Sequence, residues 1–202
     1  MNEEQFVSEM FDTVMDFRHS LRKETDRGCA LMAGEFLSNE LAALLKRRFV
    51  HDAKACDAVL EDANGPLASF SSRIEFAYLL GLIGPDARRE LHLVRRIRND
   101  FAHDYKPLDF SAEGIANRCR ELRAHTLVPD ERPRANFTRS VMGLLAAVHG
   151  SMLYAKHAEP EEDILSKFSQ TEIEAAGEKT KALADEFMKM LGLRDQNDDK
   201  QN

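Results

Sequence analysis

Residues 88–103 read Arg88-Arg89-Glu90-Leu91-His92-Leu93-Val94-Arg95-Arg96-Ile97-Arg98-Asn99-Asp100-Phe101-Ala102-His103. At the helical advance of about 100° per residue, Leu93, Val94, Ile97 and Phe101 fall on one face. His92, Arg96, Asn99 and His103 form a polar stripe at spacings of four, three and four. Arg98 lies beside the apolar face, placed to be partly buried or to point along a seam between helices. The period is helical here, and no alternating stretch of five or more residues stands out elsewhere. The chain is therefore expected to be all-α, a single compact domain of about seven or eight helices resembling a bundle.

Working outward, proline punctuates the helices, because it lacks an N–H and clashes with the preceding turn. The prolines are Pro66, Pro85, Pro107, Pro129, Pro133 and Pro160. Phe6, Met10, Val14, Phe17 and Leu21 predict a helix over 3–23. Thr25 or Asp26 caps a second helix reaching Phe49, with Cys29, Met32, Phe36, Leu37, Leu41, Leu44 and Leu45 as its apolar residues. A short helix covers 53–62 and ends at Asn64-Gly65-Pro66. Another covers 69–80, with Ile74, Ala77, Tyr78 and Leu80 as core candidates. After the break at Gly81–Pro85, Asp86 is expected to cap the arginine-rich helix. Further helices are expected over 111–125 and 135–157, the latter with Phe137, Val141, Leu144, Leu145, Val148, Met152 and Leu153 inward. A loop is expected over 128–133. Ser169-Gln170-Thr171-Glu172 spells a capping box for a last helix reaching Leu191, stopped by Gly192. Residues 195–202 are polar and expected to be disordered. The chain is expected to divide into a helical domain over 1–158 and an acidic appendage with its tail over 159–202.

The chain has 202 residues and a formal net charge of −7, from 28 Lys and Arg against 35 Asp and Glu. From Glu159 onward there are 12 acidic and 6 basic residues, so nearly all the excess negative charge lies there. The overall sign thus leaves room for a basic surface on the main body. Cys29, Cys56 and Cys119 are odd in number and form no CxxC, which argues against a disulfide framework or a cysteine zinc site and for a reducing, cytoplasmic setting. No apolar run spans a bilayer, and the acidic N-terminus does not read as a signal peptide. Neither GxxxxGK, GxGxxG, HExxH nor GxSxG occurs. No cofactor or metal is expected. No helix pair reads as a DNA-reading helix-turn-helix, so direct sequence-specific DNA binding is not expected.

Several residues carry candidate chemistry. Asn99 and His103 lie four apart on one helix face and are able to address one ligand atom. His is suited to proton transfer near neutrality, and an adjacent Arg to a bidentate grip on phosphate. His92, Arg95 and Arg96 extend this cationic face as binding candidates. The alternative is that the arginines hold acidic helix ends of the same fold. Ser69, Ser71 and Ser72 stand at a helix start, either capping it or forming an anion site shared with Arg73. Asp26 and Arg27 are either a cap with a surface charge or a tie to the arginine-rich helix. Tyr78 and Cys29 read as core residues.

Arg98-Asn99-Asp100-Phe101-Ala102-His103 resembles the R-N-x-x-x-H form of the motif of HEPN domains. Many of these are metal-independent endoribonucleases acting as dimers. A broader resemblance runs through Glu24-Thr25-Asp26-Arg27-Gly28-Cys29-Ala30-Leu31, Gly65-Pro66-Leu67-Ala68-Ser69-Phe70-Ser71-Ser72-Arg73-Ile74, Ala77-Tyr78-Leu79-Leu80-Gly81-Leu82-Ile83 and Ile97–His103. In that order they resemble the mannitol operon repressor (MtlR) family over about 17–127. This resemblance implies an all-helical, cytoplasmic, dimeric regulator that lowers transcription of a sugar-alcohol operon through a protein partner. The HEPN resemblance implies a homodimer in which Arg98 holds a scissile phosphate, His103 is general acid or base and Asn99 orients them, with RNA as ligand. A third reading keeps Arg98, Asn99 and His103 structural.

Overall fold

The computed structural model describes residues 3–105, 107–124 and 132–191, and the regular elements among them are all helical. They form α1 (Glu3–Lys23), α2 (Asp26–Arg48), α3 (Ala53–Leu60), α4 (Phe70–Leu79), α5 (Pro85–His103), α6 (Glu113–Glu121), α7 (Pro133–Tyr154), a 3-10 turn (Ile164–Lys167) and α8 (Gln170–Met190). The all-α expectation holds. The chain forms two units, Met1–Glu159 and Pro160–Asn202.

In the first unit α2 is the central helix and packs on α1, α4, α5 and α7. Its burial explains why its apolar residues show no single face. Cys29, Ala30, Ala33, Leu37, Leu41, Leu44 and Leu45 are all inaccessible, and they point in several directions. α5 contributes Leu91, Leu93, Val94, Ile97 and Phe101, and α7 contributes Phe137, Val141, Leu144, Leu145, Val148 and Met152. Phe101, Phe110 and Phe137 contact in series, the first pair edge-to-face and the second tilted, with centroids 5.0 Å apart at each step. They join the end of α5 to α7 through the segment between α5 and α6.

Local chemistry places the helix ends. The Thr25 hydroxyl accepts from the Gly28 N–H, Asp52 from Ala55 and Ser69 from Ser72. Ser169 and Glu172 complete the capping box of α8, and these bonds hold the Glu172 carboxyl below its usual range. Several details differ from the sequence reading, among them the ends of α3 at Leu60, of α6 at Glu121 and of α7 at Tyr154, each short of the expected bound. Gly84, not Asp86, is the N-cap of α5, because Pro85 takes the first helical position and leaves Asp86 within the first turn. Leu80 is exposed, since α4 stops at Leu79 and the chain turns through Gly81 at a φ of 69°. Leu153 is also exposed, on the last turn of α7. α6 begins at Glu113 rather than Ser111, whose N–H and hydroxyl both donate to Asp109. The expected loop over 128–133 lies outside the described residues up to 131, as do His125, Gly192 and the tail 195–202. Pro133 opens α7.

One buried cation fastens α2, α3 and α4. Arg73 is 6% exposed. Its Nε donates to the Leu67 carbonyl at 2.9 Å, Nη2 to the Leu60 carbonyl at 2.7 Å, and Nη1 to the Ser38 carbonyl at 3.1 Å and hydroxyl at 3.0 Å. Loss of this fork strands several buried carbonyls and opens a void. Arg73→Ala is expected to lower unfolding free energy by about 3 kcal/mol or more. Arg73→Lys should recover only a minor part, because one ammonium group does not span three carbonyls. Denaturant unfolding of the three proteins tests this, and near-equal midpoints for wild type and Arg73→Ala would exclude the clamp.

Candidate functional site

The polar stripe and arginines of α5 are divided by the fold into committed and uncommitted groups. At the N-terminal half, Arg88 Nη2 meets Glu75 Oε2 at 2.7 Å, and His92 Nε2 meets Glu75 Oε1 at 2.8 Å. These two partners hold the Glu75 carboxyl below the usual range, Arg88 the more strongly. The Arg88 guanidinium also lies over the Tyr78 ring, 4.6 Å from its centroid. Tyr78 is half-buried against the core, as expected. Arg89 pairs with Glu90 at 2.8 Å. Glu90 itself is 2% exposed and accepts from the backbone N–H groups of Arg123 and Ala124, fixing the chain after α6. Thus Arg88, Arg89 and His92 do hold acids of their own fold.

Further along, Arg95 and Arg96 make no ion pair with any described residue. Arg95 is half-buried, with its Nε enclosed and without a hydrogen-bond partner, and Arg96 is exposed. Arg98 is half-buried, in the seam expected for it. Its stem crosses α2 at Gly34, where a β-carbon would lie 2.7 Å from Arg98 Cγ and 3.1 Å from its Cβ. Its guanidinium donates through Nη1 to Asn99 Oδ1 at 3.2 Å.

Asn99 and His103 share an open depression of about 550 Å3 with Asp100, Asp104, Tyr105 and Arg118. Asp100 pairs with Arg118 of α6 at 2.5 Å. His103 is exposed at the last position of α5. The depression therefore carries carboxylates as well as cations, and phosphate entering it meets mixed charge.

Asp26 and Arg27 hold the segment after α5. Arg27 Nη2 donates to the Asp104 carbonyl at 2.7 Å, directly beyond the helix. Asp26 Oδ2 accepts the Phe110 N–H at 2.9 Å, and its Oδ1 pairs with Arg134 at 2.7 Å. This is the tie to the arginine-rich helix that the sequence left open. Ser69 caps α4, whereas the Arg73 fork is turned into the interior, so Arg73 and Ser71 do not converge on one surface anion. The cysteines are unpaired and buried. Burial pushes the Cys29 thiol up to about 11 and the Cys119 thiol to about 12, which keeps both as packing groups.

Sequence reasoning missed Glu90 and Gly34. A Glu beside two arginines reads as a solvent charge, and its backbone partners lie more than 30 residues away. Gly34 carries a weak signal, being a glycine inside an otherwise regular helix.

The model of the family described as MtlR, mannitol repressor, matches residues 19–141. No curated protein matches the chain. Among solved structures, the X-ray structure of the MtlR-HPr complex from Escherichia coli is similar at a TM-score of 0.56 and 20% identity, covering 66% of this chain and 99% of that one. At that identity the likeness shows the fold.

The Gly34 crossing sets how Arg98 and Asn99 are presented. Gly34→Ala must push the middle of the Arg98 stem rather than its mobile end. It is expected to cost about 1–3 kcal/mol and to move the Asn99 and His103 amide resonances. Thermal unfolding and amide chemical shifts measure both, and unchanged shifts on α5 would show that the crossing does not govern the site.

Proposed function

The chain belongs to the mannitol repressor (MtlR) family, and from that premise we propose that it is a negative regulator of a sugar-alcohol operon that acts by binding another protein. The single observation carrying this reading is the family match over 19–141, which takes in the central helices and the whole of α5. The similarity of fold to the MtlR of the MtlR-HPr complex supports HPr as the first partner to test. We place the protein in the cytoplasm. No helix among the described residues is long and apolar enough to cross a membrane.

Arg95 and Arg96 are assigned to the partner surface. Neither has a carboxylate partner among the described residues, whereas Arg88, Arg89 and His92 are paired with Glu75 and Glu90, and Arg98 lies in the seam with α2 and donates to Asn99. Charges of this kind speed encounter and fix the register of a complex. Calorimetry with HPr of the same organism is expected to give saturable binding. Arg96→Glu should weaken it at least tenfold, about 1.4 kcal/mol, and should raise transcription of the controlled operon in cells. Absence of HPr binding would remove that partner, and full affinity in Arg96→Glu would move the contact elsewhere.

A second reading is supported by the Arg98–Asn99 hydrogen bond beside His103. It is a metal-independent endoribonuclease in which two copies of the motif face each other in a homodimer. Arg98 would stabilise developing phosphate charge and His103 would move the proton. The carboxylates of Asp100 and Asp104 in the same depression weigh against it. Incubation with total RNA, with and without chelator, decides. Equal RNA patterns for wild type and His103→Ala are the expected result, and cleavage lost only in His103→Ala would promote the ribonuclease.

A further inference from the structure

A second cationic site lies away from α5. A cavity of about 740 Å3 opens between the C-terminal half of α1 and α7. Arg18 and Arg22 line it from α1, and Arg132 and Arg139 from the start of α7. No carboxylate among the described residues lines it. Leu21, Met142 and Ala146 give it an apolar floor. The volume falls within the range of about 300–1,000 Å3 usual for small-molecule sites.

The arrangement concentrates like charge. Arg18 and Arg22 stand one helical turn apart on the same face of α1, where two cations repel. No hydrogen bond or ion pair to a described residue accounts for either. Arg132, the N-cap of α7, and Arg139, seven residues on, are each already engaged in an interaction of their own, so Arg18 and Arg22 are the pair that carries the site. The frame is fixed rather than loose. Arg134 Nη2 donates to the carbonyls of Leu21 at 3.0 Å and Glu24 at 2.6 Å, and its Nη1 pairs with Asp26. The end of α1 is thereby bolted to α7 whether or not the cavity is filled.

We infer that this cavity binds a small organic anion, a carboxylate or phosphate carried on an apolar body. Guanidinium groups grip either head group by a planar fork. The body is specified by what the walls lack. Thr138 already donates its hydroxyl to the carbonyls of Arg134 and Ala135, at 3.0 and 3.2 Å. A polyhydroxylated ligand therefore finds few partners on this wall, whereas an aliphatic or aromatic body covers Leu21, Met142 and Ala146. An occupant in this position bridges α1 and α7 and stabilises their packing. The inference goes beyond the regulatory reading and stands independently of it, since its assay contains no protein partner.

The test uses the full chain with three probes, octanoate, phenyl phosphate and inorganic phosphate, in calorimetry and thermal unfolding at low salt. At least one organic probe is expected to bind saturably with Kd of about 1 mM or tighter and to raise Tm. The tighter of the two identifies the head group. Inorganic phosphate should bind at least tenfold more weakly. The double variant Arg18→Ala/Arg22→Ala should lose at least tenfold in affinity for the organic probe, and Ala146→Glu, which sets a carboxylate on the wall, should lose as much. Lys54→Ala, on exposed α3, should keep the wild-type value. Failure of both organic probes to saturate, equal affinity for inorganic phosphate, or wild-type affinity in both cavity variants would overturn the assignment.

Discussion

Where α5 crosses α2, the space that a β-carbon on Gly34 would fill is taken by the Arg98 stem. That close approach lets the apolar face of α5 reach the core, so that Leu91, Val94, Ile97 and Phe101 are fully enclosed. With those four fixed, the helical period dictates where every other side chain of α5 must point. Arg98 is directed along the seam, Asn99 and His103 toward the depression beside α6, and Arg96 into solvent. A larger residue at position 34 would shift the helix and with it the whole display. The site is therefore an outcome of packing as much as of its own residue types.

Polar ties then fix the segment beyond α5. Arg27 holds the Asp104 carbonyl, Asp26 holds the Phe110 N–H, and Arg134 links Asp26 to the end of α1. Phe110 is thus pinned from one side by a hydrogen bond and from the other by Phe101 and Phe137. Each of these bonds joins residues more than 70 positions apart. They bring the start of α2, the end of α5 and the start of α7 to one place, and with the phenylalanine contacts they close the chain around the depression.

Helix positions were legible in the sequence because their determinants are local. Thr25, Ser69 and Ser169 are caps whose function needs only the next three residues, and the apolar period of α5 needs only its own turn geometry. The partial burial of Arg98 was legible from the same period. Glu90 and Arg73 were not. Glu90 reads as a surface charge and Arg73 as a candidate for an anion site, yet each is buried because backbone groups elsewhere in the fold satisfy it. Glu90 accepts two N–H groups of the segment after α6, and Arg73 donates to carbonyls from three separate segments. No spacing rule announces a partner 30 residues away. Leu80 shows the converse error, an apolar residue at a helical spacing that the turn at Gly81 throws outward. The cavity between α1 and α7 escaped for the same reason as Glu90, since Arg18 and Arg139 meet only in the folded chain.

Three physical classes stand out among the arginines of this fold, and the class decides what each member is able to do. Arg73 is sequestered by backbone carbonyls and Arg134 by carbonyls together with Asp26, where the planar fork substitutes for several separate donors and the work is cohesion. Arg88, Arg89 and Arg118 are balanced by Glu75, Glu90 and Asp100, so their field is largely cancelled at short range. Arg95 and Arg96 on α5, and Arg18 and Arg22 on α1, have no such counter-charge among the described residues. Only in this last class does a cation keep most of its attraction for something outside the fold. A chain of net charge −7 therefore still holds arginines without a counter-charge among the described residues, because the balance of charge is struck pair by pair in space.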